Sequence, residues 1–160
     1  MPKDLNLLLS GGWDNNVILW DLREKKSVGS FFGPNISGDT LDYKEGEILT
    51  GSHRNIDYLE IWDLGTRKKR ESISWEEDSY REGAYVYAAQ FDKNQERKCV
   101  LAACSGINEV KMLDRERGNK ELFKAFGFEK GCYTVDYGND KVFGFAGGDG
   151  SVYIYNIERK

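Results

Sequence analysis

Four short segments repeat one arrangement of apolar and polar positions: VILWDL (17–22), LEIWDL (59–64), VKMLDR (110–115) and VYIYNI (152–157). Aligned on Trp20, Trp62, Leu113 and Tyr155, they are spaced 42, 51 and 42 residues apart. Each follows a shorter apolar run and a Gly-rich or polar turn, as in LLLSGGWDNN before residue 17 and KVFGFAGGDGS before residue 152. One run earlier lie TLDYK (40–44), VYAAQFDK (86–93) and CYTVDYGN (132–139), with large apolar side chains two apart, the period of a half-buried strand. After the aligned position come a charged turn and VGSFF (28–32), ESISW (71–75) or ELFKAF (121–126). The pattern predicts units of four short antiparallel strands joined by tight turns. The longer middle interval takes its extra residues in two polar stretches, 76–83 and 93–97.

The units fall at residues 7–33, 36–75, 84–126 and 131–160, and the first and last are partial. The first has no first strand and the last no fourth, so 14 strands are expected, about three and a half units. A sheet this small cannot bury both faces alone, whereas radial stacking around a channel buries them and leaves only short edges. Small residues at the strand ends, Ser10, Thr50, Ala103 and Ala146, suit close approach near such a channel. Asp14 and Asp149, each three residues ahead of the aligned strand, are placed to accept backbone N–H groups and hold a turn.

A period of about 40–45 residues with Trp-Asp closing a strand resembles the WD-repeat β-propeller family. The resemblance rests on Trp20-Asp21 and Trp62-Asp63, with degenerate counterparts at Leu113-Asp114 and Tyr155-Asn156. It implies an all-β propeller segment that belongs to a larger ring, of seven blades or more, completed by further blades from the same or another chain. It also implies a non-catalytic scaffold that presents its faces to other proteins. Members often carry a Gly-His whose imidazole bonds the turn Asp, but this chain has one His, His53, in a different loop. Of that network, Asp14, Ser10 and Trp20 remain available in the first unit. The stretch 40–64 is similar in flavour to divergent protist WD-repeat proteins, ciliates especially. That similarity implies a structural subunit of a ciliary axoneme or microtubule complex as the alternative function, and cilium or cytoskeleton as the alternative location.

Composition is that of a water-soluble domain, 39% hydrophobic and 31% charged with a net charge of −4, which disfavours general nucleic-acid binding. Placement of charge matters more. The turns after the aligned strands read REKK (23–26), RKKR (67–70) and RERGNK (115–120), and with residues 158–160 they hold 12 of the 23 Lys and Arg. In a propeller these turns project from one face. Arg23, Lys25, Lys26, Arg67, Lys68, Lys69, Arg70, Arg115, Arg117 and Lys120 are therefore expected to form a basic surface. Such a surface would take an acidic partner: a phosphorylated or Glu-rich segment, a tubulin surface, or RNA in an RNA–protein particle. The opposite face is expected to carry Trp13, His53, Arg54, Tyr58, Ile107 and Asn108 as partner contacts, with the acidic stretch 76–82 on the same side.

Catalytic chemistry finds little material. One His allows at most one triad, and no nucleophile motif precedes a helix pattern. Cys99, Cys104 and Cys132 form no Cys-x-x-Cys pair, so free thiols in a reducing compartment, the cytoplasm, are expected, with no metal and no cofactor. The Gly-rich pieces at 10–12 and 146–150 each precede a strand, whereas a phosphate cradle needs a helix N-terminus. No run approaches the ~20 apolar residues of a membrane span.

Overall fold

The computed structural model describes residues 6–54, 56–75, 83–94, 98–139 and 142–157. They form four antiparallel sheets in chain order, each an up-and-down meander. Sheet 1 comprises β1 (Leu7–Gly11), β2 (Asn16–Asp21) and β3 (Lys26–Phe32). Sheet 2 comprises β4 (Leu41–Lys44), β5 (Glu47–Gly51), β6 (Leu59–Asp63) and β7 (Lys69–Ile73). Sheet 3 comprises β8 (Tyr85–Phe91), β9 (Cys99–Ser105), β10 (Val110–Asp114) and β11 (Lys120–Ala125), with a 3-10 turn at Arg115–Arg117 after β10. Sheet 4 comprises β12 (Cys132–Asn139), β13 (Val142–Gly147) and β14 (Val152–Asn156). Three, four, four and three strands are the numbers the sequence pattern predicts. The acidic stretch 76–82 and residues 158–160 lie outside the described residues.

The aligned segments occupy the third strand of each full sheet. In sheets 1, 2 and 3 the pairing of that strand with the next shifts register at the same repeat position: Leu19/Trp20, Ile61/Trp62 and Met112/Leu113. A bulge at this point adds local twist, so the distortion belongs to the repeating unit.

Sheets pack face to face in sequence. Val17, Leu19 and Phe31 of sheet 1 meet Ile48 and Trp62 of sheet 2. On the other side of sheet 2, Leu59, Ile61 and Ile73 share a core with Val86, Val100 and Leu113 of sheet 3. Val110, Met112 and Ala125 then share one with Val135, Phe143 and Phe145 of sheet 4. The period-2 alternation explains this: Val17 and Leu19 point one way from their strand, Trp20 the other. The residue at the aligned position faces the preceding sheet, and those one and three positions earlier face the following one.

Polar ties bridge the sheets where strands end. Lys44 Nζ donates to the carbonyls of Asp92 (2.7 Å) and Asn94 (2.6 Å). Phe91 N donates to Asp42 Oδ2 (2.8 Å), and Arg67 Nη2 to the Val28 carbonyl (2.9 Å). Between sheets 2 and 3, Gly38 has φ +108° and a Cβ there would lie 2.5 Å from the Tyr87 carbonyl oxygen, so only glycine permits this approach. Among the described residues no helix is long and apolar enough to cross a membrane.

Candidate interaction site

The turn between β1 and β2 places Trp13 in solvent, 79% exposed. Asp14 Oδ1 holds that turn by accepting Asn16 N (3.1 Å), with Asn15 at φ 60°. Asn35, in the connection from sheet 1 to sheet 2, joins it to the next loop. Its Nδ2 donates to the Trp13 carbonyl (3.0 Å), and its own carbonyl accepts His53 N (2.9 Å). The His53 ring stacks on Tyr85 (centroids 4.3 Å, 22°) and meets the Tyr87 ring edge-on (5.4 Å, 82°). Tyr87 in turn meets Tyr133 edge-on (5.2 Å, 86°), and Tyr133 is 45% exposed. A row of ring contacts thus runs from sheet 2 through sheet 3 to sheet 4, and Asn35 ties the Trp13 turn of sheet 1 to its near end. Glycine makes room at its far end, where a Cβ on Gly148 would lie 3.2 Å from the Tyr133 ring.

Offset and edge-on rings hold one another rigidly while presenting apolar faces and hydroxyl tips, which is what a peptide-binding surface needs. His53 and Trp13 are among the partner contacts expected from sequence. Arg54, Tyr58, Ile107 and Asn108 make contacts within the fold. Arg54 Nη2 binds the buried Glu60 (3.2 Å), while Tyr58 and Ile107 pack on the core between sheets 2 and 3. Asn108, at φ 52°, ties its Nδ2 to the Phe128 carbonyl (3.0 Å). Sequence reasoning missed Tyr85, Tyr87, Tyr133 and Asn35. A signal existed for two of them: GAY (83–85) and GCY (131–133) open equivalent first strands.

The expected basic surface is largely neutralised within the chain. Arg23 binds Asp21 (2.7 Å), Lys26 binds Glu24 (2.7 Å), and Lys69 binds Glu60 (3.0 Å) and Asp57 (3.6 Å). Arg70 bridges Glu47 (3.1 Å) and Asp63. Arg115, only 11% exposed along its side chain, bridges Glu47 (2.6 Å) and Glu71 (3.5 Å). Arg117 pairs with Asp114 (3.6 Å). Lys25, Lys68 and Lys120 remain exposed with no ion-pair partner among the described residues, and Arg67 spends its guanidinium on a backbone carbonyl.

The repeat-motif residues hold the sheets. Trp20 Nε1 donates to Ser10 Oγ (2.9 Å), and Trp62 Nε1 to Thr50 Oγ1 (3.1 Å). Leu113 is buried at the equivalent place, and Tyr155 stacks on Phe143 (5.6 Å) with Asn156 exposed beside it. Asp21, Asp63 and Asp114 accept backbone N–H groups of the turn that follows. The Arg23 side chain, aided by backbone N–H groups, holds the Asp21 carboxyl down to about 2. The Thr66 N–H does the same, to a lesser extent, for Asp63. Asp149 accepts Ser151 N (3.0 Å) and the Tyr153 hydroxyl (2.7 Å), so it too is a turn holder.

At the opposite end of sheets 2 and 3 lies a polar cleft of about 380 Å³ lined by Glu45, Glu47, Arg70, Lys98, Arg115 and Glu116. Its three cations face three anions, which leaves no net charge to draw a ligand. Among the described residues no three His, Cys, Asp or Glu side chains are grouped to hold a metal ion.

No protein-family model matches this chain, and no curated protein does. Among solved structures it is similar to the computationally designed Ika4 protein, with a TM-score of 0.75 at 19% identity over 97% of this chain and 88% of that one. It is also similar to the computationally designed Ika8 protein, with a TM-score of 0.74 at 19% identity over 96% of this chain and 44% of that one. At such identity the likeness shows the fold alone. Near-equal coverage of this chain at 88% and 44% means that the Ika8 chain is about twice as long as the Ika4 chain.

Proposed function

We propose that this chain is an arc of a WD-type β-propeller that works as a non-catalytic platform, binding partner proteins along the aromatic row. The observation that carries the reading is the row Tyr85–His53–Tyr87–Tyr133, with the exposed Trp13 joined to it through Asn35. One stacked and two edge-on contacts join four rings from three sheets, and the Trp13 indole is exposed to solvent. The radial reading of the sheets is supported by their sequential face-to-face packing, the repeated Trp-to-hydroxyl bond and the repeated bulge. Rigid aromatic anchors contribute most of the affinity in such interfaces, so a peptide with apolar or proline-rich side chains suits this surface.

Selection from a displayed peptide library tests it. Selected peptides bind the wild type and lose about tenfold or more in affinity to Trp13→Ala and Tyr133→Ala, a typical anchor loss. Charge reversal at Lys25 and Lys68 leaves them bound. If charge reversal abolishes binding and the aromatic variants do not, the basic turns are the working surface. The assembly-subunit reading, with an acidic tubulin-like or RNA partner in a cilium or an RNA–protein particle, would then replace this one. The internal pairing of Arg23, Lys26, Lys69, Arg70, Arg115 and Arg117 supports the aromatic surface over the basic one.

A further inference from the structure

Each internal contact between sheets follows one rule. The side chains at repeat positions 17 and 19, 59 and 61, and 110 and 112 face the next sheet, and all are at most 6% exposed. Val152 and Ile154 are their equivalents in sheet 4, and they are 72% and 71% exposed. Sheet 1 shows the reverse side. The face that carries Trp62 in sheet 2 and Leu113 in sheet 3 meets the preceding sheet. In sheet 1 this face carries Leu8 (49% exposed), Phe32 (75%) and half-buried Ile18 and Trp20. Registers place these four side chains on one side, since Leu8 pairs with Trp20 and Asn16 with Phe32.

The two open faces are thus the two halves of one kind of interface, carried at opposite ends of one arc. Charge agrees. Strand positions on the sheet 1 face are Leu, Ser, Asn, Ile, Trp and Phe with no ionised group. Among the described strand positions of the sheet 4 face the one ionised group is Asp136, already held by Lys93 Nζ (2.5 Å). In a chain that is 31% charged, a solvated sheet face would carry more, whereas interface cores are depleted of charge. The sheet 4 face is also flat, with Gly144 and Ala146 between Val142 and Val152, and the sheet 1 face is bulky.

We propose that a second copy of this chain covers both faces, with sheet 4 of each copy packing on sheet 1 of the other to close a ring of eight sheets. This rests on the propeller reading above. Three strands about 4.8 Å apart and five residues long at about 3.4 Å each give roughly 240 Å² of flat area per face. Two such contacts cover four faces, about 1,000 Å² before side-chain relief is counted, which reaches the size of a specific interface. The pairing is heterologous, one type of face on the other, and it closes after two copies when each contributes half the ring.

Light scattering behind a sizing column is expected to give twice the 18.3 kDa of one chain. Ile154→Lys and Leu8→Glu each act on an exposed position of one face, so each gives a folded monomer, checked by its circular dichroism. A mixture of the two variants returns to the dimer mass, because one of its contacts is then wild type and the other pairs Lys with Glu. A monomeric wild type overturns the proposal. So does a dimer that survives both variants, or one that the mixture fails to restore. Peptide binding at Tyr133 is read separately: a monomer that still binds there keeps the proposed function and loses only the ring.

Discussion

The Trp75 indole Nε1 donates to Glu109 Oε2 at 3.1 Å, across the boundary between sheets 2 and 3. The contact is reinforced from both sides. Lys111 Nζ donates to the Trp75 carbonyl (2.6 Å) and lies 5.6 Å from the ring centroid, while Lys124 Nζ pairs with Glu109 (2.9 Å). Glu109, Lys111 and Trp75 are all at most 5% exposed. Removing Glu109 leaves the buried Trp75 indole N–H without its acceptor and takes the carboxylate from Lys111 and Lys124, which costs more than the contact itself contributes. Glu109→Ala is expected to lower unfolding stability by about 3–5 kcal/mol, the range for a broken buried pair, and Glu109→Gln by less, because the amide keeps an acceptor for the indole. Urea midpoints with unchanged slope check this.

Trp62 and Trp13 separate the structural use of tryptophan from the proposed binding use. Trp62 is 7% exposed in the core between sheets 1 and 2 and bonded to Thr50. Trp62→Ala is expected to cost about 3–5 kcal/mol, whereas Trp13→Ala changes stability by about 0.5 kcal/mol or less. Thermal unfolding of both variants tests it, and a destabilised Trp13→Ala would mean that this ring packs on the fold.

Acid stability reports the Trp-Asp turn. The folded Asp21 carboxyl sits at about 2 against an ordinary value of 3.8. A lowered carboxyl contributes stability fully present above 3.8 and lost as pH falls toward 2. Glu47, lowered chiefly by its bond to Arg115, acts in the same direction. Glu60 acts in the opposite one: burial raises it, so its contribution is present below the ordinary value and lost as pH rises through the folded one. Asp21→Asn is expected to flatten the stability curve between pH 4 and pH 2 relative to the wild type. An unchanged slope would show that Asp21 is as easily protonated folded as unfolded.

The three thiols are buried in the folded chain. Burial pushes Cys104 up to about 12 and Cys132 up to about 11, and Cys99 is buried as well. Thiolate is the reacting form, so iodoacetamide at pH 8 is expected to leave the native chain unlabelled and to modify all three cysteines in denaturant. Mass spectrometry across a denaturant series then reads unfolding directly. Fast labelling of folded protein would contradict the burial.

Gly38→Ala tests the approach of sheet 2 to sheet 3. Its φ of +108° and the Tyr87 carbonyl at 2.5 Å leave no place for a methyl group. A loss of about 1–3 kcal/mol is expected, with weakened peptide binding, because Tyr87 belongs to the aromatic row. Retained stability with retained binding would show that the connection can move aside.

Local pattern explains what was legible beforehand. Alternation of Val17, Leu19, Leu59, Ile61, Val110 and Met112 identifies the third strands, and Gly, Asn and Asp mark the turns, because side-chain period and turn geometry are properties of neighbouring residues. Ser10 with Trp20 was foreseeable from the repeat as well, ten residues apart across one hairpin. The aromatic row was half legible. Trp13 and His53 stand out as single residues, but Tyr85, Tyr87 and Tyr133 look like ordinary strand tyrosines until three sheets bring them together.

The sequence by itself determined how many strands there are, how they alternate and where each unit turns, since these follow from contacts within about 40 residues. Only the tertiary structure decided which charges remain free. Arg115 reaches Glu47 68 residues away, and Asn119 reaches Glu71 48 residues away, so a turn that reads as basic is electrically quiet once folded. It likewise decided which apolar faces stay open. Val152 and Ile154 carry the same pattern as Val17 and Leu19, and they differ because no further sheet among the described residues lies against them.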